Sequence, residues 1–167
     1  PASALLKSLS IDELEAILVM NSDEPYADVI AEAIFAKTKK GIAVTSTFQL
    51  QQIIAEALEF LPADTKKETI KKSCQRCFQA LRIEVNDEFA VLDKFLSKLP
   101  DSLAENGRVA ILSFHSGEDR RVKKSFQNML RAGIYKEITA EPIRPTAEES
   151  NSNPRARSAK LRWAIKA

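Results

Sequence analysis

Apolar residues recur at helical spacing through the first part of the chain. Ile11, Leu14 and Leu18 fall on one face of a helix. Ser10 and Glu13, at the start of that helix, form a capping-box pattern. The same spacing predicts further helices over residues 25–37, 46–58 and 73–99. The first part of the chain is therefore predicted to be helical.

A short run from Val109 to Phe114 is almost continuously apolar and follows the turn signal Asn106-Gly107. A run of this kind suits a strand that is covered on both faces, as in a parallel sheet. The later pattern predicts an amphipathic helix over 118–131 and strands over 134–143 and 159–165. The second part of the chain therefore has an α/β pattern.

A polar, lysine-rich stretch over residues 64–73 separates the two parts and is typical of a connector or an exposed helical turn. From this change of pattern we predict a helical domain over 1–72 and an α/β domain over 73–167. The chain has 167 residues, 44% of them apolar, which suffices for one domain or two small ones. The predicted fold class is α/β and rich in helix.

Charge and cysteine content narrow the class of protein. The formal net charge is only +2, but residues 151–167 contain several cations and no acid. Such a block can bind phosphate, although a solvated tail is the more common explanation.

Two cysteines, Cys74 and Cys77, exclude a disulfide scaffold and argue for a reducing compartment. Their C-x-x-C spacing occurs in zinc and redox sites, but zinc needs four ligands and the chain has one histidine. Two small core or boundary residues on a helix are therefore the favoured interpretation. No apolar run is long enough to cross a membrane.

Polar side chains gather where the Val109–Phe114 run ends. Ser113, His115 and Ser116 lie here, and Ser116 is the predicted N-cap of the following helix. In an open α/β sheet, ligands bind in the crevice outside the carboxyl ends of the strands. This cluster is therefore the first candidate for a functional site. The alternative is a turn whose polar residues only cap the helix.

Glycine is scarce, with four in the chain. No two of them are close enough to form a G-x-G-x-x-G or P-loop turn. The sequence by itself therefore predicts no cofactor-binding residue, and it predicts no metal-binding residue.

Three blocks of the chain, in the same order, resemble the bacterial ribosomal RNA small-subunit methyltransferase H family, also called MraW. They are Cys77–Glu88, Asn106–Lys124 and Asn153–Arg162. The resemblance implies that residues 73–167 form the second half of a class I (Rossmann-like) methyltransferase sheet, preceded by the helical domain inserted into that enzyme. The family's glycine-rich cofactor-binding segment lies N-terminal to everything present, so we interpret the chain as a fragment. The family carries an aliphatic residue where this chain has Gly117.

The resemblance also implies an activity. Members of the family transfer methyl from S-adenosylmethionine to N4 of a cytosine in 16S ribosomal RNA, so ribosomal RNA and the small ribosomal subunit are the expected partners. This chain alone is expected to be inactive, because the main cofactor segment is absent. The alternative is a non-catalytic RNA- or ribosome-binding module derived from that enzyme. The expected location is the bacterial cytoplasm, or an organellar matrix or stroma in a eukaryote.

The resemblance places His115 and Ser113 at the family's substrate face, where either could accept the amine proton. The alternative is that His115 orders its own loop. Arg82 and Asn86, four residues apart on one helix face, would hold the target strand or tie the helix to the sheet. Asp119 is expected to form an ion pair rather than to perform chemistry.

Arg155, Arg157 and Lys160 are the predicted phosphate contacts, because guanidinium groups match phosphate oxygens bidentately. The alternative is that the two arginines anchor their loop to acidic side chains. If they contact RNA, neutralising them should flatten the salt dependence of binding.

A half sheet also has a physical consequence. Strands without their neighbours leave an open, apolar edge that invites pairing with another chain. We therefore expect a homo-oligomer built through that edge, or a poorly ordered second half.

Overall fold

The computed structural model describes residues 1–167, which divide into two compact units, Pro1–Glu88 and Phe89–Ala167. The predicted boundary after residue 72 falls inside a helix of the first unit, so the compact units divide later in the chain. The identity of each unit as a domain of the family stays a prediction. No helix is both long enough and apolar enough to span a membrane.

The first unit is made of helices, as predicted. They are α1 (Ala2–Ser8), α2 (Ile11–Ser22), α3 (Ala27–Lys39), α4 (Thr47–Ala57) and α5 (Ala63–Asn86). The predicted capping box is confirmed at α2, where the Ser10 side chain accepts from the Glu13 amide and the Glu13 side chain accepts from the Ser10 amide. Ser46 and Gln49 form the same arrangement at α4. These local signals set where each helix begins.

The predicted helix over 73–99 starts too late and misses a break near residue 87, whereas its predicted end agrees within one residue with the end of a helix at Lys98. The lysine-rich stretch 64–73 is the beginning of α5, because its lysines lie toward solvent while Ile70 packs against the core. The helix ends at Asp87, which has a left-handed backbone with φ of 52°. Aspartate tolerates this conformation better than most residues, because its short polar side chain can bond locally. A separate helix, α6 (Glu88–Lys98), follows directly.

The thiols of Cys74 and Cys77 are free and buried in the core of the first unit. Burial raises the pKa of both thiols, and the nearby carboxylate of Glu24 raises it further. A thiol held in its protonated form is a poor nucleophile and a poor metal ligand. Both cysteines are therefore core residues, as the sequence favoured.

The second unit pairs a small sheet with helices. After α6 come β1 (Arg108–Ser113), α7 (Ser116–Arg131), β2 (Tyr135–Ile138), α8 (Ala147–Ser152) and β3 (Lys160–Lys166). The strand order is β1-β3-β2, and β3 runs antiparallel to both neighbours. Strands β1 and β2 are therefore parallel to each other, and α7 is the crossover between them. This arrangement is compatible with an α/β methyltransferase sheet.

Strand β1 departs from its prediction. Its one partner, β3, is antiparallel, so β1 is an edge strand rather than an inner strand of a parallel sheet. One face is covered, because Val109 and Ile111 pack against the cluster that contains Val122 and Phe126 of α7. The other face is open, and Leu112 is 54% exposed. The run is apolar on both faces although this chain covers only one of them.

The other two strands were predicted with mixed success. Strand β3 matches the prediction over 159–165 closely. Strand β2 is shorter than predicted, because a bulge follows Tyr135 and the ladder ends at Ile138. Beyond it, Ile143 forms only an isolated bridge with Leu161. Thr139, Ala140, Glu141 and Pro142 thus form a loop beside β3.

Candidate substrate site at the carboxyl end of β1

The turn from β1 into α7 is capped by His115 rather than by Ser116. The His115 Nδ1 accepts a hydrogen bond from the Glu118 amide at 3.4 Å. The Glu118 carboxylate in turn accepts from the Phe114 amide at 3.1 Å. An imidazole can replace a hydroxyl at this position because its unprotonated nitrogen is an acceptor. The predicted cap at Ser116 is therefore wrong by one residue.

The second ring nitrogen of His115 faces the same carboxylate. Its Nε2 is buried without a hydrogen-bond partner and lies 3.4 Å from Glu118 Oε1. The contact with the imidazole is the main reason why the pKa of Glu118 lies below its ordinary value, and the Phe114 amide lowers it further against the opposing effect of burial. His115 thus orders its own loop. Its proposed role as a proton acceptor stays a prediction.

Gly117 leaves room for an aromatic ring beside His115. A Cβ atom at this position would lie 2.6 Å from Phe89 Cζ and 3.2 Å from His115 Nδ1. The Arg121 guanidinium lies over the Phe89 ring, 4.2 Å from the ring centroid, and Arg121 also forms an ion pair with Asp93. The ring of Phe89 therefore occupies the space that a side chain at position 117 would need.

Ser113 lies on the covered face of the sheet. It is buried, and its hydroxyl donates to the Lys160 carbonyl at 3.3 Å. This bond joins the end of β1 to the start of β3. The hydroxyl is therefore engaged in the sheet, and its predicted part in proton transfer is untested.

An ion-pair network that the sequence only partly indicated lies beneath this turn. Asp119 Oδ1 accepts from Arg162 Nε at 2.7 Å, and Oδ2 accepts from Arg162 Nη2 at 3.3 Å. Burial raises the pKa of Asp119, but the contacts with Arg162 and Lys160 outweigh it and hold the pKa below its ordinary value. The expected ion pair of Asp119 is confirmed. Its partner was missed, although a cation at a covered position between Leu161 and Trp163 was a usable signal.

Lys160 belongs to the same network. Its Nζ lies 3.5 Å from Asp119 Oδ2, and its side chain is mostly buried. A lysine held against a buried carboxylate is less available to RNA phosphate than an exposed one. The structure therefore does not bring Lys160 together with the two arginines as a single phosphate-binding surface.

Arg82 and Asn86 meet at the end of α5. Arg82 donates to both carboxylate oxygens of Glu88, at 2.9 and 3.1 Å, and Asn86 donates to one of them at 3.2 Å. These bonds tie the last turn of α5 to the start of α6. The geometry favours a structural role, although the tie is to a helix rather than to the sheet. Their RNA-binding role stays a prediction.

Arg155 and Arg157 lie on a 3-10 turn, Pro154–Ser158, and their side chains make different contacts. Arg157 Nε donates to the Ser150 carbonyl at 3.2 Å, so it anchors its loop to a backbone oxygen rather than to an acid. Arg155 is exposed, and no hydrogen bond or ion pair holds its side chain. Arg155 instead lines a cavity of about 560 Å³ beside the carboxyl end of β1.

The residues present do not form a cofactor cradle. Gly107 lies before β1, and Gly117 lies in α7 against Phe89 and His115, so neither opens a loop after a strand. No group of three or more possible metal ligands lies together. We therefore assign no residue of this chain to S-adenosylmethionine or to a metal, and we derive no step through either.

Comparison with known proteins places the chain in a family. The model of the MraW methylase family matches residues 1–167. A protein named ribosomal RNA small subunit methyltransferase H 2, from Alkaliphilus metalliredigens, is 64% identical over 99% of this chain and 48% of its own length. A methyltransferase H 1 from Lachnoclostridium phytofermentans is 57% identical over 99% of this chain and 45% of its own length. A protein named ribosomal RNA small subunit methyltransferase H, from Maridesulfovibrio salexigens, is 38% identical over 98% of this chain and 54% of its own length. The chain spans about half the length of these relatives, and it belongs to the MraW methylase family.

Proposed function

We propose that this chain is part of an S-adenosylmethionine-dependent methyltransferase that methylates N4 of a cytosine in small-subunit ribosomal RNA. The names of its relatives support the RNA substrate and the methyl transfer. The family match over the whole chain supports the same reaction class. The proposed partner is the small ribosomal subunit or its RNA.

The observation that carries the proposal is the free edge of β1. A crossover helix joining parallel strands β1 and β2 is the connection of an open α/β sheet. The Gly107 carbonyl accepts a hydrogen bond from the Lys166 amide. In an antiparallel pair every second residue bonds to the partner strand, so the amides of Val109 and Ile111 face β3, and those of Ala110 and Leu112 point away from it. An apolar strand with an unpaired edge is what remains of a larger sheet when its neighbours are absent. We infer that the other strands belong to the half of the relatives that this chain does not span.

Methylation of an exocyclic amine requires that the amine lose a proton. His115 remains our proposed acceptor because it lies at the carboxyl end of β1. Its Nδ1 accepts from the Glu118 amide, so the neutral ring carries its proton on Nε2, and the ring could take the amine proton only at Nδ1 once that hydrogen bond opens. Ser113 is the weaker candidate, because its hydroxyl is engaged with Lys160. The target base would leave its stack to reach such a site.

A chimera tests this proposal. In it, the chain replaces the 166 matched residues of the Alkaliphilus metalliredigens protein, with which it is 64% identical. The chimera, that unaltered protein and the chain alone are each incubated with S-adenosylmethionine and unmethylated small ribosomal subunits. The RNA is then digested to nucleosides and N4-methylated cytidine is measured by mass spectrometry.

We expect N4-methylated cytidine with the chimera and the unaltered relative, and none with the chain alone. A folded chimera that binds S-adenosylmethionine but forms no methylated cytidine, beside an active relative, would overturn the proposal. The alternative of a non-catalytic RNA-binding module predicts that inactive result. It is less favoured, because the relatives are named as methyltransferases.

The open edge also supports a proposal about assembly. An isolated chain with an unpaired apolar strand should associate through β1, because edge strands pair with one another. In the chimera the same edge would be covered. Sedimentation of the two proteins at matched concentrations distinguishes these states.

A further inference from the structure

The open face of the sheet carries a cavity at the carboxyl end of β1. Its volume is about 560 Å³, within the range of roughly 300–1,000 Å³ that holds small ligands. Several large apolar side chains that are half exposed lie in its wall: Leu112, Phe114 and Ile143. Apolar groups left open to water in one place mark a binding surface more strongly than scattered ones do.

The rim of the cavity is positively charged. Arg144 and Arg155 both line it, against one acid, Glu149. No hydrogen bond or ion pair holds either guanidinium, so both can bind an anion without breaking a contact. An apolar wall with an aromatic ring, next to free guanidinium groups, has the chemistry of a nucleotide site.

We propose that this cavity binds one nucleotide of a single-stranded RNA segment. The base packs against the Phe114 ring and the aliphatic wall, and the phosphate lies between Arg155 and Arg144. The choice of RNA rests on the proposed function, whereas the cavity and its charges do not. Phe114 directly precedes His115, so a nucleotide held here adjoins the turn that carries the proposed proton acceptor.

Binding of a fluorescein-labelled pentaribonucleotide of cytidine to the 167-residue chain tests the proposal by fluorescence anisotropy. Phe114→Ala should weaken binding about tenfold, the usual loss for one base–aromatic stack. Phe95→Ala is the matched control, because Phe95 and Phe114 are each 51% exposed and Phe95 does not line the cavity. The control should bind like the unaltered chain.

Arg155→Gln tests the phosphate contact. It should weaken binding at low salt and reduce the slope of log affinity against log salt by about 0.7, the value for one phosphate on a single strand. Arg108→Gln, at the opposite end of β1, is its control and should leave the slope unchanged. Loss of affinity without a change of slope would contradict a phosphate contact at Arg155.

Several results would overturn the proposal. The first is that the unaltered chain does not bind the oligonucleotide. The second is that Phe114→Ala and Phe95→Ala weaken binding equally. The third is that another part of the protein covers the face that carries the cavity. For the last, Phe114→Cys is placed in the chimera, which is treated with a maleimide beside the chimera without the substitution, and labelling of residue 114 itself is measured by peptide mass spectrometry; the two thiols of this chain are buried. An unreactive cysteine would show that protein rather than RNA occupies the cavity.

The two proposals fail separately. An active chimera whose KM for ribosomal subunits is unchanged by Phe114→Ala would refute the nucleotide site and leave the proposed function standing. An inactive chimera whose RNA binding depends on Phe114 and Arg155 would refute the methyltransferase proposal and leave the site.

Discussion

Arg162 and Asp119 form a buried, bidentate ion pair that connects the middle strand β3 to the first turn of α7. Arg162 is 4% exposed, and its Nε lies 2.7 Å from Asp119 Oδ1. Lys160 supplies a second cation to the same carboxylate. The pair joins residues 43 positions apart in the chain, so it holds the turn carrying His115 against the sheet.

Breaking this pair from one side should destabilise the second unit strongly. Arg162→Leu leaves the Asp119 carboxylate buried with only Lys160, which should cost about 3–5 kcal/mol of unfolding free energy. Urea unfolding followed by the fluorescence of Trp163, the one tryptophan, measures the loss in this unit. Arg131→Leu, at the exposed end of α7, is the control and should cost less than about 0.5 kcal/mol.

The double variant Arg162→Leu, Asp119→Leu separates the charge from the packing. It should be more stable than Arg162→Leu alone, because the buried carboxylate is removed and the Lys160 ammonium that loses its partner can reach water on its long, flexible side chain. A double variant that is less stable by the sum of two independent losses would show that packing, not charge, accounts for the effect.

The stability of the second unit should fall at acidic pH. The pKa values of Asp119 and Glu118 lie below their ordinary 3.8 and 4.5 in the folded chain. Below those ordinary values the unfolded chain takes up protons first, so the unfolding free energy falls as pH falls through the folded-state values. Above about pH 5 both contributions are fully present.

Unfolding followed by Trp163 fluorescence between about pH 6 and about pH 3 measures this dependence. Asp119→Asn should give a shallower fall than the unaltered chain, because one titrating carboxyl is gone. An identical pH profile in the two proteins would contradict the assignment of the fall to Asp119.

Gly117→Ala should cost less when the Phe89 side chain is shortened. In the unaltered chain the new Cβ would lie 2.6 Å from Phe89 Cζ, and the overpacking should cost about 1–3 kcal/mol. In a Phe89→Ala background that clash is absent and only the contacts with the His115 ring, at 3.2 and 3.3 Å, remain, so the cost should fall below about 1 kcal/mol. Trp163-monitored unfolding of the four proteins gives both values. An equal cost in both backgrounds would refute the contact.

His115 can be tested as a cap and as a proton acceptor with two substitutions in the chimera. His115→Asn keeps a side-chain acceptor suited to an N-cap, whereas His115→Ala removes it. If His115 only caps α7, the asparagine variant should keep both stability and turnover, and the alanine variant should lose about 0.5–2 kcal/mol. Stability and single-turnover rates are measured on the same preparations.

A proton acceptor predicts a different pattern. Both variants should then lose turnover at least about a hundredfold, the lower range for a general base, while the asparagine variant stays stable. Unchanged turnover in both would remove His115 from the mechanism.

Local features of the fold were predictable from the sequence, and nonlocal ones were not. The capping box at Ser10 and the amphipathic pattern of α7 depend on residues within one or two turns, and both are confirmed. The break at Asp87 was missed because the apolar stripe continues across it into α6. The pair of Arg162 with Asp119 was missed because it depends on strand order, which periodicity does not encode.

Strand β1 shows the limit most clearly. Its apolar run predicts burial on both faces, yet one face and one edge are open in this chain. The pattern therefore indicates that the open face of β1 is covered by groups that this chain does not supply. The cavity lined by Phe114 and Arg155 could not be predicted from the sequence either, because its wall combines the end of β1 with a turn more than forty residues later in the chain.

Amide hydrogen exchange at β1 tests the central claim, that this chain carries the edge of a methyltransferase sheet continued by the rest of the relatives' sequence. At a concentration where the chain is monomeric, the amides of Ala110 and Leu112 should exchange rapidly, while those of Val109 and Ile111, which face β3, are protected. In the active chimera, Ala110 and Leu112 should become protected as well. Rapid exchange of these two amides in a chimera that methylates ribosomal RNA would contradict the claim.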